Sequence, residues 1–262
     1  MQRNFCGKFW IKAAGDDPHR NDSKCNRYYL DVVHNAQSDD GRSIDIGGVA
    51  REMYVGGSLL GRFIQHHRHR IAPVATLVDA VPTGSDVLDI GCGGGLLLIC
   101  LASAGRIQSA HGIDSSSGAI ETARKAAIRL RSFIQGPTPN FECRSVEKGL
   151  PDGTFRVVCL IDVLHHVSPV AQEKAFRDAV AKVRPGGILL YKDMCDRPLW
   201  RAGMNRLHDL VIAKQWIHYV PIESVDRWAL DCGLQIERAQ RISILWYGHE
   251  LRVFRKSGAL DS

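Results

Sequence analysis

Apolar and polar positions change rhythm several times along the chain. From residue 86 onward, short apolar runs alternate with stretches of helical period. DVLDIG (86–91), SAHGID (109–114), NFECRSV (140–146), FRVVCLID (155–162) and ILLYKD (188–193) are buried-strand candidates. Between them lie the helical LLLICLASAG (96–105), SSGAIETARKAAIRLRSF (116–133) with serines at its start, and AQEKAFRDAVAKV (171–183), which RPGG (184–187) stops. Strands alternating with helices at this spacing imply parallel β-α-β units in a doubly wound α/β sheet.

The rhythm breaks at both ends of this block. Residues 197–221 form a long aromatic and apolar helical insertion, carrying Trp200, Met204, Leu207, Leu210, Trp216 and Tyr219. ESVDRWALDCG (223–233) is another helix, and LQIERAQRI (234–242) and HELRVFRK (249–256) alternate as strands. Two strands that close together predict an antiparallel hairpin at the sheet edge. Residues 1–50 are irregular, polar and rich in turn formers, whereas 51–81 turns helical, with Leu59, Leu60, Phe63 and Ile64 on one side. The expected division is an N-terminal extension and helical cap over 1–80, then a main domain over 81–262.

Composition changes this picture little. The 262 residues, 45% hydrophobic and 24% charged, suit one large domain with an appendage. A net charge of +6 spread over 34 basic and 28 acidic residues tolerates an anionic ligand without demanding nucleic acid. The eight cysteines form no CxxC pair, and Cys100 and Cys159 lie in apolar runs as core residues, which fits a reduced, cytoplasmic setting. LLLICLASA (96–104) is too short to span a bilayer, and MQRNFCGKFW lacks the apolar core of a secretory signal.

Candidate chemistry begins at VLDIGCGGG (87–95). Gly91, Gly93, Gly94 and Gly95, directly after a strand, let the backbone turn tightly and approach a ligand without a Cβ. The helix that follows offers free N–H groups suited to a carboxylate or phosphate. Asp114 closes the second strand 23 residues beyond Gly91, the usual place for a carboxylate that accepts from a ribose diol. A helix N-cap is the plainer role for the same side chain.

VLDIGCGGG, HGIDSS (111–116), FRVVCLIDVLHHV (155–167) and VRPGGILLYKD (183–193), in this order and spacing, resemble a class I S-adenosylmethionine-dependent methyltransferase. The resemblance covers roughly 85–193 and implies a Rossmann-like, seven-stranded doubly wound sheet, which the late hairpin completes. It also implies that Asp89, Gly91, Cys92 and Gly93 line the methionine part of S-adenosyl-L-methionine, with Gly95 allowing close helix packing. Asp114 would hold the ribose hydroxyls, Ser115 would border the adenine, and Val146 and Glu147 would approach the adenine edge. Asp162 would face the methionine end or the acceptor pocket. Two departures stand out: Ser145 sits where many relatives carry an acidic residue, and the familiar Phe-Asp pair of strand four is Phe155–Arg156.

The sulfonium makes the methyl group electrophilic enough for direct attack, so a base is needed only for an acceptor that loses a proton. The adjacent His165 and His166 are the candidates; they point about 100° apart on a helical turn, so one at most faces the pocket. The alternative is a packing motif at a helix start. No metal is expected: Asp162 and Asp193 close strands four and five, but two carboxylates are thin for a hard cation. In HHRHR (66–70), the interleaved arginines oppose a dication.

The leading expectation is methylation at O or C of a small, apolar or amphipathic metabolite under helical caps from 1–80 and 197–221. RNA or protein modification is the competing reading, although the strand-four end IDVL, the lack of a Pro-Cys pair and the lack of a basic stripe oppose nucleic acid. A cofactor-binding partner without catalysis is the third.

Overall fold

A computed structural model describes residues 44–55, 73–194, 218–244 and 247–258. HHRHR, the Leu59–Ile64 face and the insertion up to residue 217 lie outside them. Seven strands form one sheet: β1 (Ser85–Ile90), β2 (Ile107–Asp114), β3 (Asn140–Cys143), β4 (Phe155–Ile161), β5 (Val183–Met194), β6 (Leu234–Ile244) and β7 (Tyr247–Lys256). Their order is β3-β2-β1-β4-β5-β7-β6. The first five are parallel, and β7 runs antiparallel to both β5 and β6. The doubly wound sheet and its edge hairpin are therefore as the apolar rhythm predicts.

Helices α1 (Ile46–Met53), α2 (Val74–Ala80), α3 (Leu96–Ser103) and α4 (Ser117–Leu130) cover one face of the sheet. Helices α5 (Pro169–Ala181) and α6 (Ile222–Asp231) cover the other. Alternation along each strand sends Val87, Val157, Cys159 and Leu190 to the first layer, and Leu88, Val158, Leu160 and Tyr191 to the second. α3 is buried all round, so its continuous LLLICLA run reads as a core helix rather than an amphipathic one. α1 and α2 add Val49, Met53, Leu77 and Val78 to the same apolar layer as α3. No helix among the described residues is long and apolar enough to cross a membrane.

Several boundaries differ from expectation. The polar stretch expected to stay irregular through residue 50 turns helical at Ile46, because Asp45 accepts the Gly48 N–H at 2.9 Å and caps α1. β3 ends at Cys143 rather than 146: Ser145 accepts the Glu147 N–H and starts a 3-10 turn over Val146–Lys148. RPGG does not separate helix from strand. It lies within β5, which pairs with β4 at Phe155↔Val183, shifts register, and resumes at Val157↔Ile188. α5 begins at Pro169, two residues early, since proline suits the first helical turn.

Gly95 shows what the packing demands. Its φ is +78°, and a Cβ there would lie 2.6 Å from Phe141 Cζ and 3.0 Å from Ala123 Cβ. Gly105 also has positive φ (+64°) but nothing within 4 Å of a Cβ. Gly105→Ala should cost about 1–2 kcal/mol from backbone strain alone. Gly95→Ala should cost about 1 kcal/mol or more beyond that, because Phe141 is walled in by the core. Urea unfolding midpoints of the two variants check the order.

Candidate functional site at the carboxyl edge of the sheet

Strand order reverses between β1 and β4, so the two loops leaving them diverge and open a crevice at their carboxyl ends. The glycine turn lies there. Gly91 and Gly93 take φ of +73° and +53°, and the Gly91 and Cys92 N–H groups both donate to Ile113 O, at 2.8 and 2.9 Å. A Cβ on Gly91 would come within 2.5 Å of Val163, two residues past β4, so glycine is what fits where the two chains still run side by side before they diverge.

Asp114 closes β2 beside this turn. One carboxylate oxygen accepts the Gly93 N–H at 2.9 Å and the other accepts the Ser116 N–H at 2.8 Å. Each oxygen keeps a second lone pair for a ligand hydroxyl. The helix cap is a different residue: Ser116 accepts the Ala119 N–H. The Arg144 N–H donates to Asp114 O, which draws the Val146–Lys148 turn alongside Asp114 and the exposed Ser115. Val146 is half-buried and Glu147 exposed. Asp89 is buried on β1 opposite Cys159. Burial first, and then the Asp89 charge, push the Cys159 thiol well above its ordinary pKa, so it is an inert core residue.

A second anchor of the turn has no sequence signature. The hydroxyl of Tyr54, just past α1, donates to Gly94 O at 2.8 Å, and the ring is 2% exposed. α1 is held in turn by Arg129 of α4, whose Nε donates to Glu52 O at 2.5 Å. The glycine turn is thus fixed on one side through Gly93 N–H and on the other through Gly94 C=O.

The loop after β4 carries the ionisable cluster. Asp162 has φ +55°, the one left-handed non-glycine residue among those described. Its N–H donates to Lys192 O at 2.8 Å, and both its carboxylate oxygens accept from Lys192 Nζ at 2.7 Å. Leu164–His166 form a 3-10 turn. His165 is buried with Nδ1 2.5 Å from Asp193 Oδ1, which also accepts the Met194 N–H at 2.8 Å. His166 is exposed, its ring centroid 4.1 Å from that of His165. The two rings pack together at an interplanar angle of 50°, yet His165 is buried and His166 exposed. Tyr191 is nearby, but burial and then the Asp193 and Asp162 charges raise its phenol far above the usual range, so it stays protonated.

Carboxylates at Asp89 and Asp114, backbone N–H groups at the start of α3, and a glycine turn that admits close approach together fit S-adenosylmethionine. Its ammonium, diol and carboxylate need those partners. This combination of sheet, switch point and glycine turn defines the class I S-adenosylmethionine-dependent methyltransferases. Residues 61–239 match the family model described as a methyltransferase domain, and the chain belongs to that family.

Named relatives agree. A ubiquinone biosynthesis O-methyltransferase of Coxiella burnetii (strain RSA 493 / Nine Mile phase I) is 32% identical over 109 residues, 41% of this chain and 43% of that protein. The mitochondrial ubiquinone biosynthesis O-methyltransferase of Schizosaccharomyces pombe is 33% identical over 141 residues, 53% of this chain and 47% of that one. The chain thus spans less than half the length of these curated relatives. In fold, it is similar to magnesium protoporphyrin IX methyltransferase of Synechocystis PCC 6803 with bound S-adenosylhomocysteine. That similarity has a TM-score of 0.58 at 20% identity, over 87% of this chain and all of that one.

If the Tyr54 hydroxyl sets the glycine turn, Tyr54→Phe loses a buried hydrogen bond of about 1 kcal/mol. Affinity for S-adenosylmethionine should fall several-fold by isothermal titration. An unchanged affinity would show that Tyr54 serves only the packing of α1.

Proposed function

We propose that this chain transfers the methyl group of S-adenosylmethionine to a hydroxyl oxygen of a small apolar or amphipathic molecule, with His165 as the base. The observation that carries the reading is the buried His165–Asp193 pair, 2.5 Å between Nδ1 and Oδ1, at the carboxyl edge beside Asp162. An Asp carboxylate on Nδ1 keeps the proton there and turns Nε2 into the accepting nitrogen. Burial of both partners strengthens the contact and holds the ring in one orientation.

The cofactor supplies an electrophilic methyl carbon on a sulfonium. Everything else falls to the protein. Asp89, the glycine turn and Asp162 border the methionine end, Asp114 holds the ribose diol, and Ser115, Val146 and Glu147 border the adenine. His165 takes the hydroxyl proton as the oxygen attacks, a step that an amine or thiolate acceptor would not need. His166 is exposed and is given no proton-transfer role. The names of the two O-methyltransferase relatives support oxygen as the attacked atom and a small molecule as its carrier.

The decisive experiment incubates the purified protein with methyl-labelled cofactor and fractionated cell extract. Label should enter organic-soluble small molecules. Label confined to RNA or protein would contradict the reading, and cofactor binding without any transfer would favour an inactive partner protein. With an acceptor in hand, His165→Ala and Asp193→Asn should each lower kcat by about 10²-fold or more while cofactor affinity holds. Equal loss of affinity and rate would point instead to a packing role.

A further inference from the structure

Asp162, His165 and Asp193 each offer one ligand atom, and these atoms lie within 4.8 Å of one another. Two carboxylates and an imidazole at that spacing could converge on a small divalent ion, whose bonds are about 2.1 Å long. One residue stands against it. Lys192 is buried, with its side chain 1% exposed, and its ammonium sits 2.7 Å from both oxygens of Asp162. An ammonium already held against both oxygens of Asp162 offsets its negative charge and repels a second cation placed there.

The placement is built into the strand. Successive residues of β5 point to opposite faces of the sheet, so Lys192 reaches Asp162 from one side while Asp193 reaches His165 from the other. Lys192 also accepts the Asp162 N–H through its own carbonyl. One residue thus fixes both the backbone and the side chain of Asp162 in its left-handed conformation. A buried ammonium persists only with such a partner, so ammonium and carboxylate hold each other in place.

We infer that Lys192 is a fixed counter-cation on Asp162, engaging one of the three residues a divalent ion would need from Asp162, His165 and Asp193, and that methyl transfer therefore proceeds without a dissociable metal. Lys192 is a positioning residue here: it acts through Asp162, and with no ion at that carboxylate the proposed proton transfer is left to His165 and Asp193. The activity arm of the test rests on the proposed transfer, but the binding arm does not.

The test compares the parent protein with Lys192→Met, which keeps the length and removes the charge, and Lys192→Arg, which keeps the charge. Mn²⁺ binding is followed by electron paramagnetic resonance on protein stripped with EDTA. The parent and Lys192→Arg should leave millimolar Mn²⁺ free, and Lys192→Met should bind it at least about tenfold more tightly. Methyl transfer by the parent should survive EDTA. Transfer by Lys192→Met should fall in EDTA and recover with added Mn²⁺, a pattern that simple loss of packing would not give. Mn²⁺ binding by the parent, or its inactivation by EDTA, overturns the inference whether or not the variants fold. A folded Lys192→Met or Lys192→Gln with no gain in Mn²⁺ affinity overturns it as well. Because the Mn²⁺ titration needs no acceptor, it decides the matter even if the acceptor reading fails.

Discussion

The carboxylate of Asp114 accepts the Gly93 N–H at 2.9 Å and the Ser116 N–H at 2.8 Å, and the geometry of the cofactor crevice follows from that pair. Through it the end of β2 fixes the glycine turn after β1 and also sets the start of α4. The turn can reach Asp114 only because Gly91, Gly93 and Gly95 adopt positive φ, a conformation that side-chain-bearing residues resist by roughly 1–2 kcal/mol each. Backbone freedom at three glycines is thus converted into a fixed loop by one carboxylate and, from the other side, by the Tyr54 hydroxyl.

The far wall of the crevice is organised by charge rather than by glycine. Lys192 and Asp193, adjacent on β5, hold Asp162 and His165 in the loop after β4. Buried ion pairs of this kind add little net stability, because desolvation offsets most of their attraction. Removing one partner alone costs about 3–5 kcal/mol, since the other is left buried and unpaired. Such pairs specify position. A second charged cluster, in which Arg252 reaches both Asp226 and Glu250, ties α6 to the hairpin.

Much of this was legible in the chain. β4 and the later half of β5 are near-continuous apolar runs because both of their faces are covered, and α4 carries a serine cap ahead of a clear amphipathic period. Gly91, Gly93 and Asp114 could be placed together because a single β-α-β unit sets the ends of β1 and β2 side by side. What escaped reading depends on contacts distant in sequence or on competition between local signals. Tyr54 meets Gly94 across 40 residues, with nothing in REMYVGG to mark it. The partner of His165 is Asp193, 28 residues away, weighed from the sequence only as a metal ligand. Pro185 and Gly186 look like a stop, yet a register shift lets β5 carry them. Asp45 reads as one more residue of a polar loop until its side chain is seen capping Gly48.

Asp114 fixes the turn through the Gly93 N–H, and its proposed second role is to hold the ribose of the cofactor. Isothermal titration of S-adenosylhomocysteine into the parent protein and Asp114→Ala tests this most directly, with circular dichroism to confirm that the variant is folded. Loss of two charge-assisted hydrogen bonds to the diol, along with the anchor of Gly93, predicts weakening by about 10²-fold or more. A folded Asp114→Ala that binds as tightly as the parent would contradict the account.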